Sequence, residues 1–103
     1  MVFRKIRRMK HLLEERSIDF EVVLIPVFPQ SDSGFAHYPL AAMHRQISEE
    51  LARMNISSFD LLQGFSALGA APAEYSHDEW HPNAKGHLVI ATSIYQNMPS
   101  YDR

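Results

Sequence analysis

Apolar side chains recur near the start of the chain at Val2, Ile6, Met9 and Leu13, with Phe3 and Leu12 beside them. A recurrence every three or four residues puts them on one stripe, so the spacing predicts an amphipathic helix from Val2 to Glu15. Its other face carries Arg4, Lys5, Arg7, Arg8 and Lys10. A basic cluster of this kind is a solvated helix face before it is a binding patch. After a break at Ser17-Ile18-Asp19 the pattern changes. Phe20-Glu21-Val22-Val23-Leu24-Ile25-Pro26-Val27-Phe28 is almost continuously apolar and rich in branched residues. That run fits a strand covered on both faces, as in parallel sheets. Pro26 has no N–H to give to a ladder, so pairing is expected to weaken there and the chain to leave the sheet by Pro29.

Gln30 to His37 is polar and loop-like. Pro39 opens a second helical pattern, Leu40, Met43, Ile47, Leu51 and Met54, which closes near Asn55, a residue suited to left-handed backbone past a helix end. A short strand is expected from about Ile56 to Asp60. Leu61 to His77 is long and irregular, with Gly64, Gly69 and Pro72. Loops of that length are functional or disordered, and its place just before the acid and histidine described below favours function. Asn83 is positioned to cap a last helix whose face is Leu88, Ala91, Thr92, Tyr95 and Met98, and Ser100 to Arg103 reads as a frayed tail. The order helix, strand, helix, strand, helix predicts an α/β fold with a parallel sheet and right-handed crossovers. About two strands and three helices leave a strand edge and a helix face unmatched. Either another chain covers them or this is part of a larger fold.

Composition narrows the picture. The 103 residues, 46% hydrophobic and 21% charged, suit one domain over 1–103 with no repeat or linker. A net charge of -2 provides no footprint for nucleic acid or an anionic membrane, so neither is expected as a partner. The absence of cysteine excludes disulfides, thiolate nucleophiles and thiolate metal sites, and suits a reducing compartment. The run from Val22 to Phe28 is too short to span a bilayer. The basic start, Met1 to Arg8, lacks the apolar core and small-residue cleavage site of a signal peptide, so the expected location is cytoplasmic.

Candidate chemistry concentrates in Asp78-Glu79-Trp80-His81-Pro82-Asn83-Ala84-Lys85-Gly86-His87. An acid three residues before a histidine can accept a hydrogen bond from one ring nitrogen and leave the other free to act as a base. The alternative is a loop Asp accepting backbone amides beside a surface His. The block Asp-x-x-His-Pro-Asn-x-x-Gly-His, opening an amphipathic helix near the C-terminus, resembles the last conserved block of the SGNH or GDSL serine esterases and lipases. The upstream order of strand, loop, helix, short strand with an acidic end and variable loop is similar to that family's later elements.

The resemblance implies a three-layer α/β/α, flavodoxin-like parallel sheet, of which this chain is a partial, C-terminal portion. It makes His81 the general base that takes a proton from a serine, and Asp78 the group that orients it. It implies hydrolysis of a small-molecule carboxylic or acetyl ester through an acyl-serine intermediate, with no metal or organic cofactor. The family's Gly-Asp-Ser nucleophile and its oxyanion-hole Gly and Asn belong to earlier blocks, which would lie upstream of Met1. The chain alone is therefore expected to be nearly inactive. Trp80 and His87 are read as packing or helix-surface groups.

Two serine motifs compete for the nucleophile. Ser31-Asp32-Ser33-Gly34 follows a strand but has Ser in place of the Gly, and Gly64-Phe65-Ser66-Ala67-Leu68-Gly69 is one residue too long for a nucleophile elbow. Neither Ser33 nor Ser66 is preferred. A metal reading rests on His77 and His81, four apart, with His87 or Glu74 as further ligands. Pro82 and the preceding loop composition argue against the helix that a His-Glu-x-x-His site requires. The rival from another functional class is a non-catalytic α/β module that self-associates, giving a homo-oligomer through the exposed sheet edge or helix face.

Overall fold

The computed structural model describes residues 2–31 and 33–98. The chain runs α1 (Val2–Glu14), β1 (Glu21–Leu24), α2 (Ala41–Arg53), β2 (Ser57–Asp60), α3 (Leu62–Ala67), a 3-10 turn at Pro72–Glu74, and α4 (Ala84–Asn97). Among the described residues the architecture is mixed α/β, with four α-helices and a two-stranded parallel sheet.

β1 and β2 pair in register from Glu21 opposite Ser57 to Leu24 opposite Asp60. A parallel pair needs a crossover connection, and α2 supplies it. The ladder closes with the Leu61 N–H donating to the Leu24 carbonyl at 2.9 Å. It stops short of Pro26, which has no donor, as the apolar run predicts. Both helix-to-strand connections use one device. Ser17 (φ 55°) and Asn55 (φ 59°) take left-handed backbone, and the following residue returns a hydrogen bond five positions back, Ile18 to Leu13 at 2.9 Å and Ile56 to Leu51 at 2.8 Å. Asn55 fits the sequence expectation, whereas Ser17 carries little local signal for that conformation.

Successive residues of β1 pack into different clusters, as the period of two requires. Val22 lies with Leu51, Met54 and Ile56, together with Phe3, Ile6 and Ile47 from α1 and α2. Val23 lies with Phe28, Leu61, Phe65 and Tyr75, together with Val89 and Ile90 from α4. Phe65 is fully buried and meets Phe28 and Tyr75 edge-on at centroid distances of 5.3 and 5.4 Å. Each large apolar side chain buried in this way contributes roughly 1.5–3 kcal/mol. All four β1 residues are nonetheless only half-buried, and Ile25 is exposed.

The stretch from Leu61 to His77 is more ordered than its composition predicts, holding both α3 and the 3-10 turn. Its signal is small. Leu61 and Phe65 are one turn apart and both buried, and the Asp60 carboxylate accepts the Leu62 N–H at 2.9 Å. Six residues are too few for helical periodicity to stand out. The expected tail from Ser100 to Arg103 lies outside the described residues.

Candidate functional site

The chain from Tyr75 to Asn83 folds back on itself. Asn83 N–H donates to the Tyr75 carbonyl at 2.9 Å, His77 N–H donates to the His81 carbonyl at 2.8 Å, and Ser76 and Pro82 form an antiparallel bridge. The loop is pinned to the exit of β1, because Phe28 N–H donates to the Glu79 carbonyl at 2.8 Å. A second tie comes from Gln30, whose Nε2 donates to the Phe28 carbonyl at 2.7 Å and lies 3.3 Å from the Ser76 Oγ. Beneath it, the Asn83 side chain caps α4 by accepting the Gly86 N–H at 3.0 Å and donates to the Glu74 carbonyl at 3.0 Å. The start of α4 presses so closely on Tyr75 that a Cβ at Gly86 would fall onto the Tyr75 carbonyl oxygen.

Within this frame Asp78 and His81 meet. His81 Nδ1 lies 2.8 and 2.9 Å from the two Asp78 carboxylate oxygens, and Oδ1 also accepts the backbone N–H groups of Trp80 (2.8 Å) and His81 (2.9 Å). The carboxylate is acceptor-only, so in the neutral imidazole Nδ1 carries the proton and Nε2 the lone pair. The Trp80 amide first, and then the His81 side chain, hold Asp78 below its ordinary value of 3.8. The two candidate catalytic residues chosen from the sequence are thus brought together. The pair is open, with side chains 71% exposed for His81 and 55% for Asp78.

The structure also assembles a second acid–histidine pair. His44 Nδ1 lies 3.0 and 2.9 Å from the Asp60 oxygens, and its Nε2 lies 3.1 Å from the Tyr38 hydroxyl, which accepts the Val27 N–H at 2.9 Å. The donors run in one direction: Val27 N–H to Tyr38, Tyr38 O–H to His44 Nε2, His44 Nδ1–H to Asp60. Burial, opposed by the Val27 amide and reinforced by the Asp60 charge, pushes the Tyr38 phenol up from 10.0. A tyrosine that holds its proton and has both neighbours satisfied acts as a structural tie between the 29–40 segment, α2 and β2, not as a nucleophile. The sequence holds a signal for it. His44 stands four residues after Leu40 and three before Ile47, inside the buried stripe of α2, where a histidine must find polar partners.

The remaining candidates separate. Ser31 and Ser33 lie 3.2 Å apart through their hydroxyls and are exposed, Ser66 sits exposed on α3, and Asp32 lies outside the described residues. Among the described residues no serine hydroxyl is hydrogen-bonded to the His81 ring. His77 and His81 oppose one another across the small bridge and do not share a helix face, and no group of three metal-ligating side chains occurs among the described residues. His87 is exposed on α4, as expected. Trp80 corrects one expectation: it lies in the loop between Asp78 and His81 and is 68% exposed, so it is not a packing group. Its own backbone N–H donates to the Asp78 carboxylate at 2.8 Å.

Both acid–histidine pairs stand at the carboxyl end of the sheet, one at the last residue of β2 and one docked on the exit of β1. This is the end of an open α/β sheet where ligands bind. No helix among the described residues is long and apolar enough to cross a membrane. No protein-family model, curated protein or solved structure matches the chain.

Proposed function

We propose that the chain is the base-bearing portion of an SGNH- or GDSL-type serine hydrolase that cleaves a carboxylic or acetyl ester. The observation that carries this is the Asp78–His81 geometry: one ring nitrogen held by both carboxylate oxygens at 2.8 and 2.9 Å, the other without a hydrogen-bond partner among the described residues. In the proposed mechanism a serine outside the described residues gives its proton to His81 Nε2 as it attacks the ester carbonyl. His81 then returns that proton to the leaving alcohol. Asp78 fixes the tautomer and stabilises the imidazolium. Water, activated by the same histidine, releases the acid from the acyl-serine. No cofactor is needed, and the nucleophile comes from a partner or from a longer polypeptide. Two further features support the three-layer arrangement that goes with this reading: α1 and α2 pack with Val22, and α4 packs with Val23.

The test is His81→Ala in the polypeptide that carries the serine, assayed on a short-chain nitrophenyl ester. Triad members act as a unit, so the loss expected is on the order of a millionfold in kcat. A variant that keeps full activity contradicts the assignment.

A second reading, a self-associating module, is favoured by one observation. β1 has the sequence of a strand covered on both faces, yet every one of its residues remains half-exposed.

A further inference from the structure

We propose that the outer flank of α1 docks the protein on an anionic membrane surface, lying along the lipid headgroups without crossing them. The proposal stands apart from the hydrolase assignment above. The net charge of -2 hides a segregation of charge. Five of the ten Lys and Arg residues fall between Arg4 and Lys10, a span with no acid, and the first acidic residue is Glu14, which leaves five cations against twelve acids in the rest of the chain. A whole-chain charge near zero therefore does not describe the field at this one helix. Arg4, Lys5, Arg7 and Arg8 are all exposed, and none has an ion-pair partner among the described residues.

The apolar side chains beside these cations are the second observation. The inner face of α1 is committed to the fold: Phe3 and Ile6 pack with Leu51, Met54 and Ile56, and Lys10 Nζ donates to the Met54 carbonyl at 3.3 Å. Val2, Met9 and Leu12 are left outside, 70%, 51% and 45% exposed. With Lys5 and Arg16 they recur three or four residues apart, which makes one outward stripe along the helix, and Arg8 stands one turn from both Lys5 and Leu12. A stripe of this kind suits a membrane surface. Its apolar tips enter the boundary between headgroups and acyl chains, while the long Lys and Arg stems reach back to the phosphates. Other polyanions fit less well. A protein that clasps an amphipathic helix takes its whole apolar face, and Phe3 and Ile6 are already engaged. A nucleic acid would use the cations but leave Val2, Met9 and Leu12 against its phosphates, and α1 offers no exposed aromatic ring for stacking on bases.

The sequence has no cysteine, so Leu12→Cys places an environment-sensitive nitrobenzoxadiazole label at one chosen point. A chain labelled through Gln96→Cys is the control, because Gln96 is exposed on α4, and α4 packs with Val23 whereas α1 packs with Val22. Both labelled chains are titrated with vesicles of phosphatidylglycerol and phosphatidylcholine, with pure phosphatidylcholine vesicles, with double-stranded DNA and with polyglutamate. The expected result is a saturable blue shift of the Leu12→Cys label with the anionic vesicles alone, no shift of the Gln96→Cys label, and reversal at high salt, which screens the attraction. Each cation near such a surface strengthens binding roughly fivefold. The unlabelled double variant Lys5→Glu, Arg8→Glu, checked for folding by circular dichroism, should therefore co-sediment with the anionic vesicles at least tenfold more weakly than the native chain. No shift of the Leu12→Cys label, an equal shift with neutral vesicles, a shift with DNA or polyglutamate, an equal shift of the Gln96→Cys label, or unchanged co-sedimentation of the folded double variant overturns the proposal. If the double variant unfolds, the two labelled chains decide alone. None of these readings involves hydrolysis, so the result of the His81→Ala assay leaves them untouched.

Discussion

Asp78 is exposed and still holds four short contacts, two from backbone amides and two from one imidazole nitrogen. Because its folded value is depressed, the stabilisation it contributes is complete above the ordinary 3.8 and is lost as pH falls through the lowered value. Amide hydrogen exchange followed by NMR should therefore show the Trp80 and His81 N–H groups protected in mildly acidic solution and released only below that range. In Asp78→Asn this acid-dependent step should vanish; protection that stays independent of pH in the native chain would contradict the assigned bonds. The sequence exposed this pair because its two members are three residues apart in one loop. Tyr38, His44 and Asp60 escaped notice because six and sixteen residues separate the partners. Only the tertiary fold brings the end of β2 beside the buried face of α2.

At the scale of elements, the loop and the head of α4 are one unit. Asn83 caps the helix while its backbone closes the loop, and Gly86 allows α4 to approach Tyr75. Gly86→Ala places a methyl group against the Tyr75 carbonyl and 3.0 Å from the Pro82 Cβ. Overpacking of this kind costs about 1–3 kcal/mol. Urea denaturation should show a loss in that range, accompanied by displacement of the His77 and His81 resonances; a fully stable variant with an unmoved loop would contradict the close contact. The cap was legible from Asn83 standing just before a helical pattern. The need for glycine at 86 was not, since it arises from a neighbouring carbonyl outside the helix. Helices α1, α2 and α4 and strand β2 follow their patterning to within about two residues, because long stripes are strong signals, whereas β1 ends at Leu24, four residues before the end of the apolar run that predicted it. The short helix α3 was hidden, its formation depending on Phe65 filling a space between Phe28 and Tyr75.

For the whole molecule the governing feature is the half-exposed strand β1. A parallel strand of Val22, Val23 and Leu24 is at home with both faces buried, and here neither is closed. The self-association reading predicts a dimer or larger assembly at micromolar concentration by light scattering, and a stable monomer would count against it. The parallel α/β pattern could be read from the sequence, whereas the cover on the open strand could not, because hydrophobicity states that a surface is to be buried without naming its partner.

The measurement closest to the central claim is the tautomer of His81. Long-range ¹⁵N–¹H correlation spectra of the native chain and of Asp78→Asn distinguish the two ring nitrogens directly. A base oriented by Asp78 predicts that the neutral imidazole carries its proton on Nδ1 in the native chain, with Nε2 unprotonated, and that this preference is lost in Asp78→Asn. A neutral His81 protonated on Nε2 in the native chain would leave no lone pair facing outward to accept a proton, and would contradict its role as a general base.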